Sequence, residues 1–327
     1  MPEITYIEAI RQAIDEMMEH DERVFVFGED VGKRGGVFRA TEGLQEKYGA
    51  LRIIDSPLAE SVIVGACLGA SFNNMRPIAE IQFADFIHPA FDQIVSEVAR
   101  VRYRSNGDWN APMVIRTPYG GGIHGAMYHS QSIEAFFCHV PGLKVVAPST
   151  PYDAKGLLKT SIEDPDPVLF LEHKKCYRLI KGHVPDEDYR VPLGIADIKR
   201  EGQHLTAIAY GMMMHVCLDA AALLAREGID VEVIDLRTLQ PLDTATILTS
   251  VRKTGKVLIV HEDNLTGGFG GEISAIISQQ AFEFLDGPIM RIGGPDVPAM
   301  PYAKTLEDAF LPNTQTVSDA MRKLATY

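Results

Sequence analysis

The chain has 327 residues, of which 46% are apolar and 23% charged, a composition typical of folded globular proteins. It holds 31 Lys and Arg residues against 44 Asp and Glu residues, so its formal net charge is −13. This sign excludes proteins that coat nucleic acid or an anionic membrane, because both tasks need positive charge. At roughly 150 residues per domain, the length predicts about two domains.

Cysteine usage and hydropathy predict the compartment. The four cysteines are widely spaced among apolar neighbours and form no C-x-x-C pair, which favours free thiols over a disulfide framework or a zinc site. The first residues lack a positive stretch followed by an apolar one, and no run approaches the ~18 apolar residues of a membrane helix. We therefore expect a soluble, cytoplasmic protein.

The first half of the chain alternates between helical and strand patterns. A capping box at Thr5-x-x-Glu8 opens an amphipathic helix. The apolar run 24–27 stops at Gly28-Glu29-Asp30, as a buried parallel strand with acids at its carboxyl end would. Further strands are predicted at 78–83, 113–116, 144–147 and 168–172, with helices near 57–72, 87–104 and 152–163. This alternation predicts an α/β fold with a mainly parallel sheet.

A polar segment rich in proline and charge separates this pattern from a second one. We take 181–202 as the linker between an N-terminal domain, 1–180, and a C-terminal domain, 203–327. The second domain is predicted to contain strand, helix, strand, strand, helix and strand at 205–210, 215–226, 231–236, 257–261, 272–285 and 289–292.

Two glycine-rich segments raise the question of nucleotide binding. The segment 120–125 fits G-x-G-x-x-G, but Pro118 intervenes, a poor helix start follows, and Glu134 comes too early to hold a ribose. A flexible loop that lets backbone approach a ligand or partner fits better. The segment 267–271 either offers backbone donors to an anion or only permits a strand-to-helix turn, and the turn is the commoner case.

Two residues stand out as chemical candidates. Ser56 as N-cap, Pro57 at the first position and Glu60 in the first turn are helix-start signals, and such a glutamate ordinarily complements the helix dipole. The following SVIVGACLGASF is apolar on every face, so we expect this helix and Glu60 to be buried. His129, in a loop among hydroxyl and amide residues, is either a proton-transfer group or a hydrogen-bonded surface histidine.

Several segments together resemble the beta chain of the thiamine-diphosphate-dependent decarboxylase component of 2-oxo acid dehydrogenase complexes. The likeness covers essentially the whole chain and includes FGEDVGKRGGVFRAT, DSPLAESVIVG, RPIAEIQFADFIHPAFDQI, GGGIHGAMYHSQSIEAFF and GPDVPAMPYA. It implies a transketolase-like fold, in which an N-terminal pyrimidine-binding domain precedes a C-terminal domain shared with transketolase.

The resemblance also implies roles for individual residues. Glu60 corresponds to the carboxylate that pairs with the aminopyrimidine ring of thiamine diphosphate and favours the imino tautomer, whose nitrogen removes the thiazolium proton. His129 corresponds to a histidine that protonates or orients the lipoyl group. Positions that line or support the aminopyrimidine pocket are matched by Glu29, Leu58, Gln82 and Phe86.

Metal ions and a partner subunit follow from the same resemblance. Ser161, Asp164 and Asp166 fall where relatives hold a structural potassium ion. In this superfamily a magnesium ion at a Gly-Asp-Gly motif, with a later Asn, holds the diphosphate. The only Gly-Asp of this chain, Gly107-Asp108, continues into Trp109. A separate alpha subunit that holds magnesium and the diphosphate is therefore implied, in an α2β2 heterotetramer.

The activity implied is oxidative decarboxylation of a 2-oxo acid with reductive acylation of lipoyl on the dihydrolipoyl acyltransferase core. HGAMYHSQSIEAFF, EHKKCYRLIKG and GPDVPAMPYA look most like branched-chain 2-oxoisovalerate members, that is, 3-methyl-2-oxobutanoate dehydrogenases of branched-chain amino acid catabolism. Pyruvate and acetoin dehydrogenase beta subunits are the alternatives. A hypothesis from another class is an assembly module, whose acidic C-terminal domain docks the basic peripheral subunit-binding domain of the core. A nicotinamide dehydrogenase that uses the GGGIHG loop is a third.

Overall fold

A computed structural model describes residues 3–327 and shows an α/β chain with two main sheets. The strands are β1 Glu3–Thr5, β2 Val24–Gly28, β3 Ile53–Asp55, β4 Arg76–Glu80, β5 Val114–Tyr119, β6 Lys144–Val146, β7 Val168–His173, β8 Lys181–His183, β9 Asp197–Arg200, β10 Leu205–Ala209, β11 Val231–Asp235, β12 Thr238–Gln240, β13 Val257–Asn264 and β14 Met290–Gly294. The α-helices are α1 Tyr6–His20, α2 Leu44–Tyr48, α3 Glu60–Ser71, α4 Val101–Arg104, α5 Glu134–Cys138, α6 Pro151–Glu163, α7 Cys176–Leu179, α8 Met212–Ala225, α9 Thr244–Thr254, α10 Gly270–Gln280, α11 Lys304–Phe310 and α12 Thr314–Ala325.

The first sheet has the order β12-β6-β7-β5-β4-β2-β3, and all its pairings except β12 with β6 are parallel. The second sheet has the order β14-β13-β10-β11-β9, in which only β9 is antiparallel to its neighbour. Every residue of β5, β7, β10 and β11 is buried, as expected for strands covered by helices on both faces. The predicted α/β class with mainly parallel sheets is confirmed.

The two sheets share one hydrophobic core. Ile115 and Leu169 of the first sheet belong to the same cluster as Ile208, Ile234 and Ile259 of the second. The strand β12 lies in the C-terminal half of the sequence but pairs with β6 in the first sheet. The predicted linker 181–202 is also built into the fold, because β8 pairs with β1 and β9 pairs with β11. The chain segments before and after this linker are thus joined by sheet pairing as well as by packing.

Helix starts agree with the sequence prediction at α1 but not at α3. The capping box of Thr5 and Glu8 is present at the start of α1. By contrast, the helix predicted from residue 57 begins only at Glu60, and its N-cap is Ala59. The Ser56 hydroxyl donates to the carbonyl of Pro57 at 2.7 Å, so it does not cap the helix. Glu60 is therefore the first helical residue.

The single helix predicted over 87–104 is wrong. The chain instead forms two 3-10 turns, Ala84–Phe86 and His88–Ala90, then the π-helical segment Gln93–Val98 and the short helix α4. Pro89 contributes to this break, because its ring lacks an N–H donor and disfavours helical backbone in the preceding residue. In the C-terminal half, α9, α11 and α12 are absent from the sequence-based prediction.

The four cysteines are free thiols, as predicted, and three of them are buried. Burial raises the pKa of Cys67, Cys176 and Cys217 well above the usual thiol value, so these groups stay protonated at neutral pH. Among the helices of residues 3–327, none is long and apolar enough to cross a membrane.

A buried arginine ties three neighbouring strands of the first sheet together. Arg116 of β5 donates to Glu172 of β7 from Nε at 2.6 Å and from a terminal nitrogen at 2.8 Å, and to Glu80 of β4 at 2.6 Å. Tyr177 adds a 2.7 Å hydrogen bond to Glu172. The three charged residues are at most 6% exposed, so each relies on the others for its charge compensation.

We expect Arg116→Met to lower the free energy of unfolding by about 3–5 kcal/mol, because it leaves two buried carboxylates uncompensated. Arg104→Met is the matched control, since the pair of Arg104 with Glu97 is exposed and contributes below about 1 kcal/mol. Urea unfolding followed by circular dichroism measures both. Equal destabilisation in the two variants would contradict the structural role of Arg116.

Candidate active site

Acidic residues gather at the carboxyl edge of the first sheet. Glu29 follows β2, Glu60 opens α3 soon after β3, and Glu80 ends β4. These three strands are parallel neighbours, so their carboxyl ends meet at one edge, where open parallel sheets bind ligands. Gly28 permits the close approach, since a Cβ atom there would lie 2.7 Å from the carbonyl oxygen of Glu80.

Glu29 and Glu60 form an interacting carboxyl pair. Partial burial, and then the negative charge of Glu60, raise the pKa of Glu29, while the backbone N–H of Ala59 donates to it. Glu60 is 9% exposed. Within the described residues, Glu29 Oε1 is buried without a hydrogen-bond partner. A buried acceptor without a partner is a position that a ligand donor can fill.

The helix α3 has one buried face and one exposed face. Ile63, Val64 and Cys67 are buried in the core. The expectation that this helix is buried on every face is wrong, because Val62 is 53% exposed, and Ala66 and Gly69 lie on the same open side. Leu58, predicted to line the pocket, is 81% exposed just before the helix. An apolar surface therefore borders the carboxyl pair.

Three rings meet beside this edge. His129 lies edge-on to Phe83 and Phe86, with ring centroids 4.5 and 5.4 Å apart, and the two phenylalanines are 5.6 Å from each other. Gln82 precedes this cluster, and its amide nitrogen lies 3.5 Å from the carbonyl oxygen of Glu29. The structure thus brings together the predicted residues Glu29, Glu60, Gln82, Phe86 and His129.

Lys174 is a buried cation near the rings that the sequence-based prediction does not include. It is 4% exposed, and its Nζ lies 5.7 Å from the centroid of the Phe83 ring. Burial lowers its pKa to about 8, although the negative charges of Asp85 and Glu262 oppose the shift. The sequence does indicate its location, because Lys174 directly follows the buried strand β7 and therefore lies at the same carboxyl edge of the sheet. Its burial does not follow from the sequence, because a lysine after a strand is usually solvated.

The three residues predicted for potassium do not fit a cation site. Lys144 Nζ lies 2.6 Å from both carboxylate oxygens of Asp164. Arg102 Nε lies 2.5 Å from Asp166. The hydroxyl of Ser161 donates to the carbonyl of Leu157 at 2.7 Å. Both carboxylates are thus already compensated by cationic side chains, and the hydroxyl is committed within its own helix.

The glycine-rich segments serve as turns and loops. After 120–125 the chain makes a 3-10 turn at Ala126–Tyr128, so it presents no long helix start to a pyrophosphate. At 267–271 the glycines make room for the ring of His261. A Cβ at Gly270 would lie 2.6 Å from its Nε2, and one at Gly268 2.8 Å from its Cε1.

Known proteins resemble this chain over its whole length. The pattern of the transketolase pyrimidine-binding domain matches residues 2–180, and that of the transketolase C-terminal domain matches residues 194–317. A 2-oxoisovalerate dehydrogenase subunit beta from Bacillus subtilis is 58% identical over 327 residues, covering 100% of both chains. A pyruvate dehydrogenase E1 component subunit beta from the same organism is 47% identical, again over 100% of both chains.

A solved structure shares the fold. It is a split-gene transketolase, an inactive beta4 tetramer, with a TM-score of 0.80, 24% sequence identity and coverage of 99% of this chain and 98% of that one. The predicted transketolase-like architecture is therefore confirmed. Together with the carboxyl pair at the sheet edge, these similarities show that the chain belongs to the family of 2-oxo acid dehydrogenase beta subunits.

Proposed function

We propose that this chain is the beta subunit of a branched-chain 2-oxo acid dehydrogenase, 3-methyl-2-oxobutanoate dehydrogenase, and supplies the pyrimidine-binding half of a thiamine diphosphate site. The observation that carries the proposal is the juxtaposition of the Glu29–Glu60 carboxyl pair with the Phe83, Phe86 and His129 rings. The 58% identity to a 2-oxoisovalerate dehydrogenase subunit beta supports the branched-chain substrate over pyruvate.

The carboxyl edge fits an aminopyrimidine ring. Glu60 is the carboxyl that would hold a proton at a ring nitrogen, and Glu29 Oε1 is a buried acceptor for a ring donor. The partly buried Phe86 offers an aromatic face. When bound, thiamine diphosphate supplies a nucleophilic thiazolium carbon and an electron sink for decarboxylation. Partial burial and the negative charge of Glu60 raise the pKa of Glu29, which favours the protonated form of Glu29.

The exposed apolar side of α3 supports an alpha partner. Leu58 and Val62 are 81% and 53% exposed beside the carboxyl pair, where a second chain would cover them and close the site. The chain has no Gly-Asp-Gly motif, so we assign magnesium and the diphosphate to the alpha subunit in an α2β2 assembly. The relatives' names, subunit beta, point the same way.

The surroundings of His129 support a role in proton transfer to an incoming lipoyl group. Its ring packs on Phe83 and Phe86 beside the carboxyl edge and keeps part of its surface open. An imidazole nitrogen can donate a proton to a sulfur atom as the lipoyl disulfide is opened.

Docking to the lipoylated acyltransferase core is part of the proposal. Residues 203–327 hold fifteen acidic and nine basic residues, and exposed acids include Glu227, Asp286, Asp296 and Asp319. This surface suits the basic peripheral subunit-binding domain of the core. Binding between the two should weaken as salt is added, and binding that does not respond to salt would rule out the electrostatic account. The free thiols favour a reducing, cytoplasmic setting.

With its alpha subunit, thiamine diphosphate and magnesium, the chain should turn over 2-oxoisovalerate with a kcat/KM at least about tenfold above that for pyruvate, since each methylene in an apolar pocket contributes about that much. Steady-state assays with both substrates test this. A preference for pyruvate would overturn the branched-chain assignment and leave the enzyme class intact.

Glu60→Gln should lower decarboxylation by about 10²- to 10⁴-fold, because the variant keeps the shape of the side chain but cannot exchange a proton with the ring. Glu46→Gln is the matched control, since Glu46 also lies in a first helical turn but is exposed. Assembly with the alpha subunit should be normal in both. Wild-type activity in Glu60→Gln would exclude the proton-transfer role.

His129→Ala should lower acyl transfer to a lipoyl domain by about 10²-fold, while decarboxylation coupled to an artificial electron acceptor is less affected. His139→Ala, at an exposed histidine nearby in sequence, is the control. Equal loss of both reactions would assign His129 to cofactor positioning instead.

A further inference from the structure

The loop that carries His129 is held in a strained conformation. It connects β5 to α5, and four of its residues have a positive φ, at +85° for Gly120, +79° for Gly122, +57° for His124 and +55° for Ala126. Glycine adopts this region freely, but His124 and Ala126 do so at an energetic cost. Such backbone persists only where surrounding contacts hold it.

Glu262 provides one of these contacts from the second sheet. It lies in β13, is 5% exposed, and accepts a hydrogen bond from the backbone N–H of Gly121. Its other carboxylate oxygen lies 2.9 Å from Nε2 of His173. Burial alone would disfavour the charge, but His173 and the loop amide together lower the pKa of Glu262, so the carboxylate is retained.

Glu307 provides the second contact. Its side-chain contacts in residues 3–327 are all with this loop, whereas Glu262 also contacts His173. It lies in α11 and is 1% exposed. Its Oε1 accepts from the backbone N–H of Gly122 at 2.8 Å and from that of His124 at 3.2 Å. Its Oε2 lies 2.5 Å from Nδ1 of His124. One oxygen of this buried carboxyl group thus accepts hydrogen bonds from two amides of one loop, and the other lies beside an imidazole of the same loop without a hydrogen-bond partner in residues 3–327.

A third acidic residue, Asp85, holds the far end of the loop from the 3-10 turn that follows β4. Asp85 accepts from the backbone N–H of Gln131 at 3.3 Å, two residues after His129. The same turn contains Phe86, so the hydrogen bond to Asp85 fixes this end of the loop relative to the ring cluster. The position of His129 is therefore set between Asp85 on one side and Glu262 and Glu307 on the other.

We propose that Glu307, supported by Glu262, is a positioning residue that fixes residues 120–125 and thereby sets His129 for acyl transfer. This inference rests on the transfer role proposed above for His129. Glu307 contacts neither the ring cluster nor the carboxyl pair in any hydrogen bond or ion pair of the described residues; it acts through the loop. The C-terminal half would thus contribute to the chemistry of the site by holding a loop of the first sheet.

The first measurement is hydrogen exchange in the assembled α2β2 holoenzyme. Glu307→Ala should speed exchange of the Gly122 and His124 amides by about tenfold or more, since both amides lose their hydrogen-bond acceptor, with no change in the core strands. Asp308→Asn is the matched control, because Asp308 is the next residue on the same helix and its ion pair within residues 3–327 is with exposed Lys304. Unchanged hydrogen exchange of the Gly122 and His124 amides in Glu307→Ala would overturn the proposal that Glu307 holds the loop.

The second measurement compares two reactions of the same holoenzyme. Acyl transfer to a lipoyl domain should fall about tenfold in Glu307→Ala, since small displacements of a reacting group are amplified in rate, while decarboxylation to an artificial acceptor stays within about twofold. Glu307→Gln keeps an oxygen that can accept the two amides and should restore most of the transfer. A released loop with normal transfer would overturn the positioning role, as would parallel loss of both reactions.

Two more variants, Glu307→Asp and His129→Ala, separate a failure of assembly and a failure of the His129 proposal from a failure of the positioning role. If Glu307→Ala does not assemble, Glu307→Asp decides, because it keeps the charge but withdraws the carboxylate by one methylene, and loop release in the same direction is expected. His129→Ala measured alongside separates the two proposals. Normal acyl transfer in that variant would overturn both the proposed role of His129 and the positioning role that rests on it. Hydrogen exchange of the loop amides would still decide whether Glu307 holds the loop.

Discussion

The buried contact of Arg116 with Glu80 and Glu172 is the constraint from which the site follows. Parallel strands bring their carboxyl ends to one edge, and in this chain that edge is rich in acids whose mutual repulsion in a buried setting would be destabilising. Arg116 compensates two of them and fixes β4, β5 and β7 in register. Glu29 and Glu60 have no such cation among their hydrogen-bond and ion-pair contacts in residues 3–327, so neither carboxyl group is occupied by an ion pair.

The two halves of the chain are bound together around this edge. They share a hydrophobic core, and β12 joins the first sheet from the second half. Glu262 and Glu307 reach from the second half to the backbone of the loop 120–125. The C-terminal half therefore contributes to the first domain, because backbone N–H groups of residues 120–125 donate hydrogen bonds to it.

Local patterns predicted most of the first sheet, because buried parallel strands are continuous apolar runs and α1 carries its own capping box. They failed where local signals compete with packing. Ser56 and Pro57 have the residue types of a helix start, yet the chain is still irregular there and α3 begins at Glu60. The potassium residues match by position, yet Lys144 and Arg102 contact the carboxylates, and those cations are distant in sequence.

The amino-acid sequence alone was enough to predict the α/β class, the acids at the strand ends and the candidate roles of Glu60 and His129. Each of these depends on a short-range pattern or on a motif that can be recognised within one segment of the sequence. Tertiary structure alone paired Glu29 with Glu60, buried Lys174, exposed Leu58 and placed Glu307 against a loop some 185 residues away in sequence. Burial and charge compensation decided these features, and both depend on which distant segments share a volume from which water is excluded.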